Sequence, residues 1–232
     1  MNLFRTLILL SATGVACFGQ AAADLKPVLA KMDATATSFR DLTAQMKRLT
    51  HTAVINDDSV EMGTMTLFRN PKGEVRARVD FTKPDPKSVG FAGRKVEMFY
   101  PKLNVVQEYD FSKQGKLVDQ AITLLLLGFG TSGKELLRDY NVQLLGSEKV
   151  GDRTATKLQL VPRQKAALER LTKAELLIDP ATGYPVEQKF YLPSGDYNIV
   201  TYTDPRVNTG LTEQSAALKL PANVKRERPQ KQ

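Results

Sequence analysis

Leu25, Val28, Leu29, Met32 and Ala36 recur at helical spacing, so the first periodic stretch predicts an amphipathic helix over Asp24–Ser38. Asp24 is placed to cap it, and Pro27 falls in the first turn, where a missing N–H is tolerated. From Phe39 the period changes to two. Leu42, Ala44 and Met46 alternate with Thr43, Gln45 and Lys47 in a strand running to Ile55, and Asn56-Asp57-Asp58 supplies a turn. Val60–Arg69 reads as a second strand. After the turn Asn70-Pro71-Lys72-Gly73, Val75, Ala77, Val79 and Phe81 alternate with Glu74, Arg76, Arg78 and Asp80, the cleanest half-buried strand in the chain. Lys83-Pro84-Asp85-Pro86 ends it, because two prolines cannot donate to a central ladder. Lys95–Tyr100 and Asn104–Phe111 predict a hairpin about Pro101-Lys102-Leu103. Tyr140–Leu145, Ala155–Pro162, Ala174–Asp179, Val186–Leu192 and Asn198–Thr203 are of strand length, with Gln164–Leu171 as a short helical or loop insertion. Roughly ten or eleven strands joined by short turns predict antiparallel pairing in a strongly curved sheet or partial barrel, an α+β fold that is mainly β.

Between the two sets of strands lies Ala121–Gly133, in which Leu124–Leu127 run directly into Gly-Phe-Gly-Thr-Ser-Gly. Four consecutive leucines cannot all face one side of a helix or strand, and the glycines that follow give the backbone freedom to hinge. The stretch predicts an apolar plug or lid over the hollow of the sheet, followed by a helical Lys134–Tyr140. A buried end of a core helix with a loose loop is the plainer reading of the same spacing.

Composition places the chain among ordinary globular proteins, with 232 residues, 42% hydrophobic and 25% charged, enough for one domain with a sizeable core. Met-Asn-Leu-Phe-Arg, the apolar Thr6–Phe18 and the small residues up to Ala23 have the three regions of a secretory signal, which predicts a signal peptide over 1–23, an exported protein, and a single domain over 24–232. Cleavage after Ala23 removes Arg5 and takes the formal charge from +8 to +7. Cys17, the only cysteine, lies inside that segment, so the mature chain has no thiol for a disulfide or a metal. The alternative is that Gly14-Val15-Ala16-Cys17 is a lipoprotein-processing site with Cys17 acylated. Gly14 departs from the large aliphatic residue usual three places before that cysteine. The basic tail Lys225-Arg226-Glu227-Arg228 with Lys231 reads as a solvated, mobile end, and attraction to anionic lipid is its functional alternative.

Catalysis has little to stand on. His51 is the lone histidine and falls in a Thr- and Lys-rich strand, so it reads as a surface residue before it reads as a general base; a Ser-His-Asp hydrolase would have to recruit it with no nucleophile elbow in view. No transition-metal ligand set is present, Gly128–Gly133 lacks the Gly-Lys-Ser/Thr ending of a phosphate loop because Lys134 is followed by Glu135, and no basic-aromatic stripe suggests nucleic acid. Apolar ligand binding fits better. Alternate Val, Phe, Met and Leu give the sheet one greasy face, and a curved greasy face is a trough. Each methylene hidden there is worth about 0.8 kcal/mol, so a sixteen-carbon chain gains on the order of 12 kcal/mol. Met65, Leu67, Val79, Phe81, Met98, Leu125, Leu126, Phe129 and Phe190 are the cavity residues that alternation selects, and no cofactor is needed.

The order of these features resembles the outer-membrane lipoprotein carrier family, LolA-like proteins. The resemblance rests on a signal peptide, a first helix ending in Ser38-Phe39, and the strand pair around Leu67-Phe68-Arg69 and Val75–Val79. It continues through Tyr100-Pro101, Tyr109-Asp110, Leu124–Gly130, Leu158–Pro162, Ile178-Asp179, Gly195-Asp196-Tyr197 and Leu218–Pro221. It implies an open half β-barrel with a helical lid over a hydrophobic cavity, and a non-enzymatic periplasmic carrier of the acyl chains of lipoproteins or other lipids. An inner-membrane donor complex, an outer-membrane acceptor, transient membrane contact and a monomeric state come with it. In that family an arginine directly before proline latches the lid. Arg69 is the matching position here, though Asn70 intervenes before Pro71. The anchored outer-membrane receptor of the same pathway, LolB-like, would suit an acylated Cys17, and more distant members are envelope sensors or partner-binding modules.

Overall fold

The computed structural model describes residues 24–112, 123–124 and 126–229. Residues 1–23, expected to be a signal peptide and containing Cys17, and Leu125 lie outside the described residues. The first helix, α1 (Leu25–Ser38), is capped as the sequence predicts, with the Asp24 side chain accepting from the Lys26 N–H at 3.0 Å. Its stripe of Val28, Leu29 and Met32 is buried.

Twelve strands follow: β1 (Asp41–Thr52), β2 (Asp57–Arg69), β3 (Val75–Lys83), β4 (Lys87–Ala92), β5 (Lys95–Tyr100), β6 (Val105–Asp110), β7 (Tyr140–Val150), β8 (Arg153–Pro162), β9 (Lys173–Ile178), β10 (Pro185–Tyr191), β11 (Tyr197–Val207) and β12 (Lys225–Glu227). Among the described residues there are also two short helices, α2 (Gly133–Asp139) and α3 (Lys165–Leu168), and a 3₁₀ turn at Glu213–Ala216. All strands belong to one open, curved sheet in the order β12-β6-β5-β4-β3-β2-β1-β11-β10-β9-β8-β7. Two meanders of sequence neighbours, β2–β6 and β7–β10, therefore meet through the antiparallel ladder of β1 with β11, in which Leu42 faces Val207 and His51 faces Tyr197.

Register decides which face each side chain takes, because directly paired residues point the same way. Across the sheet Ala44 pairs with Met65, Met65 with Val79, Val79 with Val89, and Val89 with Met98. On the other side Leu144 pairs with Leu158, Leu158 with Leu176, and Leu176 with Gln188. This face is the concave one. Two apolar clusters fill it. One places α1, Leu127 and Leu136 on β8 and β9; the other gathers Phe39, Met46, Met65, Leu67, Val79, Phe81, Phe129 and Tyr202. At about 1.5–3 kcal/mol for each large apolar side chain taken from water, these two layers dominate the stability of the fold.

The convex face of the first meander is covered by the C-terminal segment. Asp41, 2% exposed, accepts from the Thr209, Gly210 and Leu211 N–H groups and from the Thr209 hydroxyl, and so starts that segment on its path. Arg78 Nη1 donates to the Ala217 carbonyl at 2.6 Å, Leu218 lies over Gly90, and β12 pairs in parallel with β6. Lys225–Glu227 is thus a strand, contrary to the mobile end expected from its charge, and Lys231 lies outside the described residues. Arg226 and Arg228 bond to Glu108, which holds that carboxyl below the usual glutamate range, and Arg226 also reaches Glu97. A second departure is β4, which the sequence hid behind Pro84, Pro86 and Gly90.

Candidate functional site

The segment over the middle of the concave face is the predicted plug. Leu127 N–H donates to Leu124 O at 3.2 Å and Phe129 N–H to Leu126 O at 2.7 Å, so the chain turns twice within six residues. Gly128 and Gly130 carry the turns with φ of 86° and 69°. Neither tolerates a side chain, since a Cβ on Gly128 would press on the Pro185 ring at 3.1 Å and one on Gly130 would meet Arg69 Nη2 at 2.6 Å. Leu127 and Phe129 are fully buried, and Phe129 stands edge-on to Tyr202 at 5.0 Å between ring centres. Leu126 packs against the same cluster as Met65, Leu67, Val79 and Phe81.

The exit from the plug is fixed to α1. Ser132 and Glu135 form a reciprocal cap on α2, the Lys134 N–H donates to Asp33 at 3.3 Å, and Gly133 sits so close to Leu29 that a Cβ would lie 2.8 Å from its carbonyl oxygen. The plug itself is tied to the sheet through main-chain carbonyls. Arg69 Nη2 donates to Gly130 O at 3.1 Å while its guanidinium lies 5.2 Å from the centre of the Phe39 ring. Burial pulls Arg69 below the usual guanidinium value, and Glu135 opposes that pull. From the other side Gln188 Nε2 donates to Leu127 O, and the Tyr202 hydroxyl donates to Gln188 Oε1 at 2.7 Å. Gln188 is 1% exposed, and burial pushes the Tyr202 hydroxyl far above its ordinary value, which keeps it a neutral donor.

The residues selected from alternation fall into three groups. Met65, Leu67, Val79, Phe81, Leu126 and Phe129 belong to one cluster under the plug. Met98 continues their row on β5, half-buried beside Val89. Phe190 packs against the other cluster, beneath α1, and Leu125 lies outside the described residues. Gln188 and Tyr202 were missed. Gln188 is a polar residue between Glu187 and Lys189 in a strand, and only the register reveals that it points inward.

His51 lies between a carboxylate and an aromatic ring. Its Nδ1 lies 2.7 Å from Asp58, its ring stacks on Tyr197 at 4.6 Å, and among the described residues no serine hydroxyl bonds to it. Ser194 Oγ instead donates to Asp196 at 2.9 Å in a turn. Among the described residues no group of three or more His, Cys, Asp or Glu could hold a metal ion.

No family model matches the chain, and no curated protein matches it. Solved structures do. An uncharacterized conserved protein from Thermus thermophilus superposes with a TM-score of 0.52 at 14% identity, over 88% of this chain and 98% of that one. MucB superposes with a TM-score of 0.51 at 16% identity over 86% of this chain, which spans 64% of MucB. The LolA superfamily protein NE2245 from Nitrosomonas europaea gives 0.38 at 16% identity, over 83% of this chain and 97% of that one. The chain shares its fold with the Thermus thermophilus protein and with MucB.

Proposed function

We propose that this chain is a LolA-like exported carrier that binds the acyl chains of lipoproteins or other lipids on the concave face of its sheet. The observation that carries the reading is the nature of the cover. A largely apolar face is closed by a short glycine-broken segment whose carbonyls at Leu127 and Gly130 are gripped by side chains of the sheet. Such a cover can leave without unfolding a strand. A hydrocarbon tail that takes its place hides methylenes at about 0.8 kcal/mol each and offsets the re-exposure of Leu126, Leu127 and Phe129.

In this reading Met65, Leu67, Val79, Phe81, Met98, Leu125, Leu126, Phe129 and Phe190 line the occupied trough, Arg69 is the latch, and Gln188 is a second one. Export by a signal over 1–23, release into the periplasm, and hand-over from an inner-membrane donor to an outer-membrane acceptor complete it; acylation of Cys17 would make it an anchored receptor instead. Leu126→Glu tests the site. It should abolish uptake of a fluorescent fatty acid with the fold intact by circular dichroism, and unchanged uptake removes the plug from the binding site.

A second reading, a module that recognises a protein, draws on MucB, which has been solved in complex with MucA(peri). Organic extraction of purified protein separates the two: co-purified lipid supports the carrier, and its absence together with failure to bind any acyl probe supports the module.

A further inference from the structure

Along β2 the concave face reads Glu61, Gly63, Met65, Leu67, Arg69, so the apolar track under the plug runs about 26 Å from one charged end to the other. Arg69 is used at one end by Gly130 O. The opposite end holds a different arrangement, built by three strands. Arg48 on β1 donates to Glu61 through Nε at 3.0 Å and through Nη2, and Lys87 on β4 reaches the other Glu61 oxygen at 2.7 Å. Both cations also lie against the Phe81 ring, with Arg48 4.7 Å and Lys87 5.1 Å from its centre. Phe81 is one of the buried residues of the trough, so the cations stand where the track meets water.

The arrangement is not balanced. One carboxylate faces two cations, which leaves a net positive charge at the mouth. Burial pushes the Glu61 carboxyl up, but the hydrogen bonds from Lys87 and Arg48 and their charges outweigh that and hold it below its ordinary value, so it is ionised at neutral pH. The side chains of Arg48 and Lys87 remain 34% and 25% exposed. Among the described residues Arg48 Nη1 has no hydrogen-bond partner, and Lys87 spends one of its three donors on Glu61. Two positions along the same face, Thr50 donates to Asn198 Oδ1 at 2.8 Å, and the Asn198 amide nitrogen has no partner there. Unspent donors with an excess positive charge, at the end of a hydrocarbon track, suit an anionic group carried on an alkyl tail.

We propose that Arg48 and Lys87 bind the anionic headgroup, a phosphate monoester or diester, of a lipid whose chain occupies the trough. This rests on the acyl-binding reading above and specifies its ligand. The test uses the full chain and displacement of a neutral fluorescent alkyl alcohol by three probes: hexadecyl phosphate, hexadecanol and inorganic phosphate. Hexadecyl phosphate should displace about tenfold more effectively than hexadecanol at low salt, with the advantage shrinking in high salt, and inorganic phosphate should not displace. Arg48→Gln with Lys87→Gln should bring the two alkyl probes within twofold of each other, and Arg48→Lys with Lys87→Arg should restore most of the preference. Glu61→Gln frees both cations and should widen the preference several-fold, a gain that a merely structural ion triad would not give. Equal displacement by the two alkyl probes in the unaltered protein, or an unchanged preference in the glutamine pair, overturns the headgroup assignment and leaves the trough standing. Failure of the neutral alcohol to bind at all overturns the trough and this assignment with it.

Discussion

The second latch gives the sharpest prediction, because it is buried and its loss can be worked through. Replacing Gln188 by Leu removes the donor to the Leu127 carbonyl, and pairing it with Tyr202→Phe avoids stranding the hydroxyl that now bonds to Gln188. With the plug closed, the Leu127 carbonyl then has no partner at a position with no exposure. A buried polar group left unpaired costs about 1–3 kcal/mol. When the plug lifts, water satisfies the same carbonyl, so the cost falls on the closed state alone and shifts the closed-to-open ratio about 5- to 150-fold toward open. Apparent affinity for an acyl ligand scales with the open fraction, so the variant should bind more tightly by up to that factor, until opening is no longer limiting. The assay is titration with a neutral fluorescent acyl probe beside amide hydrogen exchange across residues 124–131. Faster exchange with tighter binding is the expected pair. Faster exchange with unchanged or weaker binding would refute the idea that plug and ligand compete for the trough.

Three further outcomes follow from the packing. Gly133→Ala drives a Cβ to 2.8 Å from the Leu29 carbonyl and should lower stability by about 1–3 kcal/mol in urea unfolding while loosening α2 from α1. Asp41→Ala strips the acceptors from three N–H groups and one hydroxyl at Thr209–Leu211; it should cost about 2–4 kcal/mol, and limited proteolysis should cut the segment between 208 and 224 faster than in the unaltered protein. Glu61 has its pKa lowered from 4.5, so its contribution to stability is present above that pH and disappears as the pH falls through the still lower folded value. Glu61→Gln should therefore be less stable than the unaltered protein at pH 7, with the two curves converging below pH 4.5.

Sequence periodicity located most of the sheet because its strands alternate cleanly: β3 was legible from Val75 to Phe81, β5 from Lys95 to Tyr100, and α1 from three buried positions and its cap. It failed where local chemistry and tertiary context disagree. Lys87–Ala92 follows two prolines and contains Gly90, yet it is a strand because Gly90 lets Leu218 lie directly on the sheet. Lys225–Glu227 has the charge of a free tail, yet Glu97 and Glu108 lie within reach on β5 and β6. The site was legible in its apolar part for the same reason as the strands, and the glycines marked the plug. Its polar part was not. The inward turn of Gln188 depends on the bulge between Pro185 and Glu187, and the meeting of Arg48, Glu61 and Lys87 depends on the register of four strands.

The placement of β11 beside β1 has a consequence for how the molecule is made. Every other antiparallel ladder joins strands that follow one another along the chain, so each half of the sheet can assemble from its own hairpins as soon as they exist. The β1–β11 seam must instead close a loop of roughly 150 residues, and such closures set the pace of folding. Until that seam forms, the greasy inner surfaces of both halves face water unsheltered. A lesion along it, at the register shift between Thr43 and Gln45 for instance, should yield two locally ordered wings and an aggregation-prone chain in place of a uniformly weakened one.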